Sequence, residues 1–554
     1  MIKVFFDLIL AAVFLAASAG ARADFQEGID AYSREDYQVA LKEFKLLAGK
    51  GNKRAQFLLG VMYDQGKGVP EDNKIAAVWY QMAAEQGDAE AQYNLGLMYD
   101  VGEGVVQDNR LAVEWYRKAA EQGYAEAQYS LGVMYWQGRG APLDFKVGAE
   151  WYLKAAEQGH AGAQNSIGLL YDLGQGVPQN DKAAVAWYRK AAEQGNAEAQ
   201  NNLGVMYRQG RGVAQDYKIA AEWYSKAAEQ GSADAQHNLG VLYDQAHGTA
   251  GVQQLAAEWY RKAAEQGNAD AQNKLGMMYH LGHGVVQDHI LAAEWYRKAA
   301  EQGNADAQHN LGVMYRHGQG VPRDDKLAVE WYRKSAVQGR ADAQYDIGVM
   351  YHQGQGVQQD DKLATEWYRK AAAQGNADAE NNLGAMYLEG QGVPQDHQEA
   401  ISWYFKAARH GSAEAQYNLA RLYDAGQIVP QDYKLAAELY RMAAEHGKVE
   451  AQNSLGMIYH KGLGVPQDDR GAVSWYLKAA EHGYSEAQYN LGVMYSMGEG
   501  VPIDMVQACK WFNLAVLAGN ENAQKAIKPL EGRMKHDEIE QALAMAREWL
   551  AKHK

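Results

Sequence analysis

The chain has 554 residues, more than one hydrophobic core can organise, so it must be several domains or a repeat array. Hydrophobic residues make up 47% and charged residues 22%, as in ordinary globular proteins, while 58 glycines against 9 prolines suit helices interrupted by regular turns. The net charge of −15 repels phosphate backbones and anionic lipid, and no basic run offsets it, so nucleic acid is excluded as an expected partner.

The first residues read as a secretory signal peptide, residues 1–23. Lys3 gives a positive start, Leu8 to Ala17 is a short apolar run, and Ala19-Gly20-Ala21 and Ala21-Arg22-Ala23 are small-x-small cleavage sites. The second site leaves Asp24 as the new N-terminus. A run this short cannot cross a bilayer, which needs about 20 residues. Cleavage removes Lys3, Arg22 and Asp7, taking the charge from −15 to −16, and leaves a mature chain expected to have no membrane span. No cysteine follows the signal to carry a lipid anchor. Cys509, the single cysteine, has no partner for an internal disulfide and reads as a small buried apolar residue.

Residues 24–54 read as a capping helical hairpin, with Gly28, Tyr32, Ala40 and Phe44 at repeat-like positions and a shortened loop at Ser33 to Asp36. From there the pair Ala-Gln recurs at Ala55, Ala91, Ala127 and every 36 residues to Ala487, with Ala379-Glu380 as a variant and Ala523-Gln524 beyond the last unit. This gives thirteen units over residues 55–522 without insertion or deletion. The unit from Ala91 to Glu126 shows the logic. Asp88 is an N-cap, Glu90 lies in the first turn, and Ala91, Leu95, Met98 and Tyr99 share one helical face. Gly102 and Gly104 stop that helix, Asp108 caps a second one bearing Leu111, Ala112, Trp115, Tyr116, Ala119 and Ala120, and Gly123 ends it. A lone hairpin of this size cannot bury its apolar faces, whereas stacked hairpins can. Helix spacings of about 8–10 Å would make thirteen units a curved rod on the order of 100 Å or more along its path. At the far end, residues 523–554 read as capping helices. Asp537-Glu538-Ile539-Glu540 is an expected capping box opening a helix with Ile539, Leu543, Ala546 and Leu550.

The pattern Ala-Gln-x-x-Leu-Gly-x-x-Tyr, Gly-x-Gly-Val-Pro-x-Asp, Ala-x-x-Trp-Tyr-x-x-Ala-Ala-x-x-Gly closely resembles the Sel1-like repeat, a relative of the tetratricopeptide repeat. The resemblance implies an all-α, right-handed α/α superhelical solenoid serving as adaptor or scaffold, with the free face of each first helix lining its concave side.

On that first helix Tyr93, Leu97 and Asp100 point away from the core face. The Tyr93 position reads Phe57, Tyr93, Tyr129, Asn165, Asn201, His237, Asn273, His309, Tyr345, Asn381, Tyr417, Asn453, Tyr489 along the units. The Asp100 position reads Asp64, Asp100, Trp136, Asp172, Arg208, Asp244, His280, Arg316, His352, Leu388, Asp424, His460, Ser496. Aromatics, amides, imidazoles and charges of this kind anchor interfaces. The candidate partner-binding residues are therefore Tyr93, Tyr129, Trp136, Arg208, His237, His280, His309, Arg316, Tyr345 and His352. The Leu97 position is mostly aliphatic and is expected to pack between helices. Two units depart from the frame. Ala246 to Val252 lacks a turn glycine and the capping aspartate, and another unit has Ala420 for glycine, Ile428 in its loop and Leu439 for tryptophan, read as local repacking.

The Trp-Tyr pairs from Trp79 onward hold one helical register and read as core. His280 and His283, three apart, with His247, His289 and His317, could gather as a metal or pH-sensitive cluster, but no carboxylate pattern accompanies them. The loops at Asp64 and Asp172 place glycines where calcium ligands belong, and Gly60 to Gly66 followed by Lys67 has the wrong spacing for a phosphate loop, with Gly68 where Ser or Thr should hold magnesium. No nucleophile motif is present and the disulfide-stapled hairpins of the penicillin-binding relatives are absent. The reading is a non-enzymatic adaptor without cofactor or metal, exported to the periplasm and binding a protein or peptide. The rivals are a secreted or surface factor engaging host proteins and, more remotely, an enzyme acting on cell-wall or β-lactam substrates.

Overall fold

A computed structural model describes residues 19–246 and 250–553; among them lie thirty helices and no strand. The chain forms two compact units, one ending at Ala271 and the other beginning at Gln272, with His283–Val285 belonging to the first. Each unit is a run of helical hairpins, and the protein is an all-α solenoid. Most helices span 13 residues, as in the A helix Ala89–Val101 and the B helix Asn109–Glu121 of one repeat.

Local chemistry sets these boundaries. Asp88 Oδ1 accepts from the Ala91 N–H at 3.0 Å, and Asp108 Oδ1 from the N–H groups of Arg110 and Leu111 at 2.9 and 3.2 Å. Both are N-caps that satisfy donors the helix cannot satisfy internally. Gly102 ends the A helix at φ 81°, left-handed backbone that favours glycine.

The Ala-Gln signature is the polar joint between hairpins. Ala91 is fully buried and Gln92 is 5% exposed. Gln92 Nε2 donates to the Ala84 carbonyl of the preceding B helix at 3.0 Å, and its Oε1 accepts from Gln122 Nε2 of its own B helix at 2.7 Å. One side-chain amide thus ties three helices together, and the arrangement recurs at Gln128 with Ala120 and Gln158. In the variant repeat Glu380 keeps only the accepting half of the joint, against His410 Nδ1 at 2.7 Å.

Two glycines per repeat are required by close approach. A Cβ on Gly96 would meet the Tyr116 ring at 2.8 Å, so the glycine makes room for a tyrosine that is 1% exposed. Gly140, at φ 68°, would place a Cβ 2.0 Å from the Asn109 carbonyl oxygen of the preceding repeat. Its position fixes how closely each loop seats on its neighbour.

Several expectations are corrected. At the Trp-Tyr positions most repeats keep only the tyrosine in the core, though Trp511 is buried. Trp115 is half-buried, with Lys118 Nζ 3.7 Å from its ring centroid, and the stacking recurs to Lys478 over Trp475. An ammonium one helical turn on lies over the outer ring face in a cation–π contact. The Leu97 position packs as expected in most repeats, with Val61 and Val349 buried and Val133, Val205 and Val313 against the core, whereas Leu97 itself is 40% exposed. In the irregular unit Val252 is no failed cap. The B helix Ala250–Glu265 starts early and runs 16 residues, so Val252 lies inside it. Residues 247–249 of that loop, His247 included, lie outside the described residues, as do residues 1–18 of the expected signal. The repacking unit is as expected: Ala420 is fully buried and Leu439 is 6% exposed.

The ends are helical. Ala19–Ser33 and Tyr37–Gly49 form the first hairpin, with Asp36 capping the second helix. Glu521–Glu531 and His536–Lys552 follow the last repeat. The expected capping box is displaced: the last helix begins at His536, and Glu538 accepts from the Lys535 backbone N–H at 2.9 Å. Once the helix starts before Asp537, the acid placed three residues after the cap is Glu538.

Gly140 and Gly159 separate backbone strain from inter-repeat contact, since both have positive φ but only Gly140 faces backbone within 4 Å. Gly159→Ala should cost about 1 kcal/mol and Gly140→Ala at least about 2 kcal/mol more, measured by urea unfolding.

Candidate interaction face

The ten candidate residues all lie on A helices, and all are half-buried. Those at the Tyr93 position rest on the buried tyrosine of their own B helix. Ring centroids are 5.7 Å apart for Tyr93 and Tyr116, 5.7 Å for Tyr129 and Tyr152, and 5.9 Å for Tyr345 and Tyr368. His237 and His309 take the same place on Tyr260 and Tyr332, at 5.7 and 5.6 Å. Tyr93 also meets Tyr124 at 5.4 Å, and Tyr129 stacks on His160 at 4.6 Å.

The asparagines of this ladder, and His309, are matched by the next A helix. Where the ladder carries asparagine, its Oδ1 accepts from an asparagine Nδ2 37 residues on: Asn202 to Asn165 at 3.1 Å, Asn238 to Asn201 at 2.9 Å, Asn310 to Asn273 at 3.1 Å, Asn418 to Asn381 at 3.1 Å and Asn490 to Asn453 at 2.9 Å. Where it carries His309, the partner is an acid, with Nε2 2.8 Å from Asp346 Oδ2. Asn165, Asn273, Asn381 and Asn453 are buried, so these rungs belong to the inter-repeat joint and not to a free surface.

Residues at the Asp100 position reach their own B helix, the loop of the next repeat or, at Arg316, the next A helix. The Trp136 ring lies 4.8 Å from Phe145, and His352 Nδ1 lies 2.8 Å from Asp361 Oδ1. Arg139 donates to Asp100 at 3.0 Å, and Arg211 pairs with both Asp172 and Asp181. Burial pushes the Tyr224 hydroxyl up to about 12, and the neighbouring Arg208 charge offsets part of that shift.

Of the expected histidine cluster, His280 and His289 come together with ring centroids 5.0 Å apart, and His317 is exposed. Burial, then the His289 charge, holds the His280 imidazole below its ordinary range. Among the described residues no group of three or more metal-ligating side chains gathers. Cys509 is fully buried, and burial pushes its thiol up to about 11, as fits a packing residue. The clearest convergence of candidates is in the second unit. Asp346, missed by sequence reasoning, accepts from Arg316 Nη1 at 3.2 Å as well as meeting His309, and Tyr345 is its chain neighbour. The signal for Asp346 is legible once one ladder is read against the following position of the next unit, since His pairs there with Asp as Asn pairs with Asn.

The Sel1 repeat model matches thirteen consecutive segments, from residues 53–88 to 485–520. The chain belongs to the Sel1 repeat family. Among solved structures of Sel1 repeat proteins, a protective antigen present in uropathogenic Escherichia coli strains is 36% identical, covering 86% of this chain and 95% of its own, with a TM-score of 0.60. A Sel1 repeat protein from Oxalobacter formigenes is 35% identical over 56% of this chain and 89% of its own, with a TM-score of 0.46. No curated protein matches the chain. No described helix is long and apolar enough to cross a membrane.

Asp346 serves two donors at once, so Asp346→Ala should lower stability by about 1–3 kcal/mol, whereas Asp346→Asn, which keeps an acceptor, should lose less in thermal melts.

Proposed function

We propose that this Sel1 repeat protein is an exported, non-enzymatic scaffold that binds a protein or peptide on the A-helix faces of its two units, within the periplasm. The observation that carries the reading is the set of half-buried aromatic, imidazole and guanidinium groups held on A helices at a 36-residue interval. Such groups combine apolar contact area with directional polar tips, and a rigid frame lowers the entropic cost of engaging a partner. The expected signal at residues 1–23 supports export.

A second reading is a surface or secreted factor that engages host proteins. The Escherichia coli relative, described as a protective antigen, favours it. Cell fractionation separates the two, because the periplasmic scaffold should be released by osmotic shock and the second should remain at the surface or in the medium.

Tagged mature protein should capture a partner from envelope extract. Trp136→Ala with Arg208→Ala in the first unit, or Arg316→Ala in the second, should reduce that capture at least about tenfold while helicity is kept. Arg316 is ion-paired, so its truncation should also lower stability, by about 1 kcal/mol at most. Undiminished capture by both variants would refute the A-helix assignment.

A further inference from the structure

The array is its own control: a position repeated thirteen times shows what the frame requires, and a lone departure shows what it does not. Three lone departures meet at one place in the second unit. Leu388 is the single aliphatic residue at the Asp100 position, Arg421 the single charge at the Leu97 position, and Ile428 replaces the second loop glycine. Around them lies a cavity of about 200 Å³ between two consecutive repeats, lined also by Leu422, Tyr404 and Asn418.

The physical cause of the cavity is Ile428. The equivalent Gly392 sits at φ 69°, where a Cβ would lie 2.2 Å from the Asp361 carbonyl oxygen. Ile428 already carries a Cβ and does not take the left-handed conformation, which Glu35 alone adopts among the described non-glycine residues. Its loop therefore cannot seat on the preceding repeat as the others do.

Of the polar groups lining the cavity, Asn418 is engaged by Asn381 and Arg421 meets the Tyr417 ring 5.8 Å away, but neither Arg421 nor Tyr404 faces a carboxylate partner there. Arg421 is exposed and has no ion pair among the described residues, in contrast to Arg316 on Asp346. With Leu388 where other repeats have aspartate, Tyr404 lacks the carboxylate that Tyr80 and Tyr440 find in Asp64 and Asp424. Burial pushes the Tyr404 hydroxyl up to about 12, so it keeps its proton and can donate.

We propose that this cavity binds the C-terminal residue of a peptide ending in an aliphatic side chain, its carboxylate held by Arg421 and Tyr404 and its side chain by Leu388, Leu422 and Ile428. A guanidinium and a neutral hydroxyl beside an apolar wall match a group carrying a carboxylate and a branched alkyl chain on one carbon. A terminal leucine, isoleucine or valine has that form, whereas an internal acidic residue brings the carboxylate without the alkyl group. The inference rests on the peptide-binding reading only in taking the ligand to be a peptide.

N-acetyl-leucine, titrated into the full chain with methyl NMR as readout, isolates this site from the A-helix ladders. Saturable shifts of the Ile428, Leu388 and Leu422 methyls are expected at millimolar ligand. N-acetyl-leucinamide should bind about tenfold more weakly or worse, because the charge-assisted bonds are lost. Arg421→Leu restores the residue type of neighbouring repeats, so it should keep the fold and abolish the shifts. No shift, or equal shifts with the amide or with Arg421→Leu, would overturn the carboxylate site, and equal binding of N-acetyl-glutamate would overturn its apolar half. Partner capture through the ladders alongside a silent cavity would sink this inference alone.

Discussion

Everything in this solenoid depends on a buried side-chain amide. Gln92 and its equivalents lie where three helices meet, two from one repeat and one from the repeat before. The carbonyl of Ala84, in the last turn of a B helix, accepts from the Gly87 N–H at 3.0 Å and takes Gln92 as its second donor. A side chain that both donates and accepts closes the joint on both sides, which alanine, leucine or a charged residue cannot do. Apolar contacts between alanines set how near the helices come, and the amide sets their register.

The same logic accounts for the variants. Where glutamate replaces glutamine at 380, histidine replaces the glutamine at 410, and in the next repeat His446 lies 3.2 Å from Gln416. The ladder above the joint obeys a matching rule of its own, with asparagine answered by asparagine and His309 by Asp346. Much of the variation along the A helices is thus pairwise and structural. The binding residues have to be sought among side chains that are half-buried yet leave a polar tip or ring face outward.

Most of the fold was legible in the sequence, because period, caps and turn glycines act locally: Asp88, Asp108 and Gly102 fall where their chemistry requires. Less legible was anything depending on which neighbour a side chain meets. Trp115 and Tyr116 share a register and are adjacent in sequence, yet only contact with the next helix decides that the tyrosine is buried and the tryptophan is left under Lys118. The Leu97 position packs in most repeats, and only its neighbours decide that Leu97 itself faces solvent. The capping box was misplaced by two residues because Asp537 and Glu538 are equally acidic and a helix can start before either. Of the candidate site, the helix and the positions are readable, but the pairings across repeats are not, because the partners, such as Asn202 and Asp346, stand at the Asn94 position, outside both ladders.

The account stands on the buried amide, and Gln200 tests it within the first unit: it is 4% exposed, donates to the Ala192 carbonyl at 3.1 Å and accepts from Gln230 at 2.7 Å. Gln200→Leu keeps the volume near constant and removes both bonds, leaving the Ala192 carbonyl with the Gly195 N–H alone and Gln230 with the Lys226 carbonyl, a loss of about 1–3 kcal/mol. Amide hydrogen exchange across the helices Asp181–Glu193, Ala197–Gln209 and Tyr217–Glu229 should then show protection lost at this joint and kept in distant repeats. Unchanged protection across those three helices would mean that apolar stacking alone holds the repeats together, and would contradict the account.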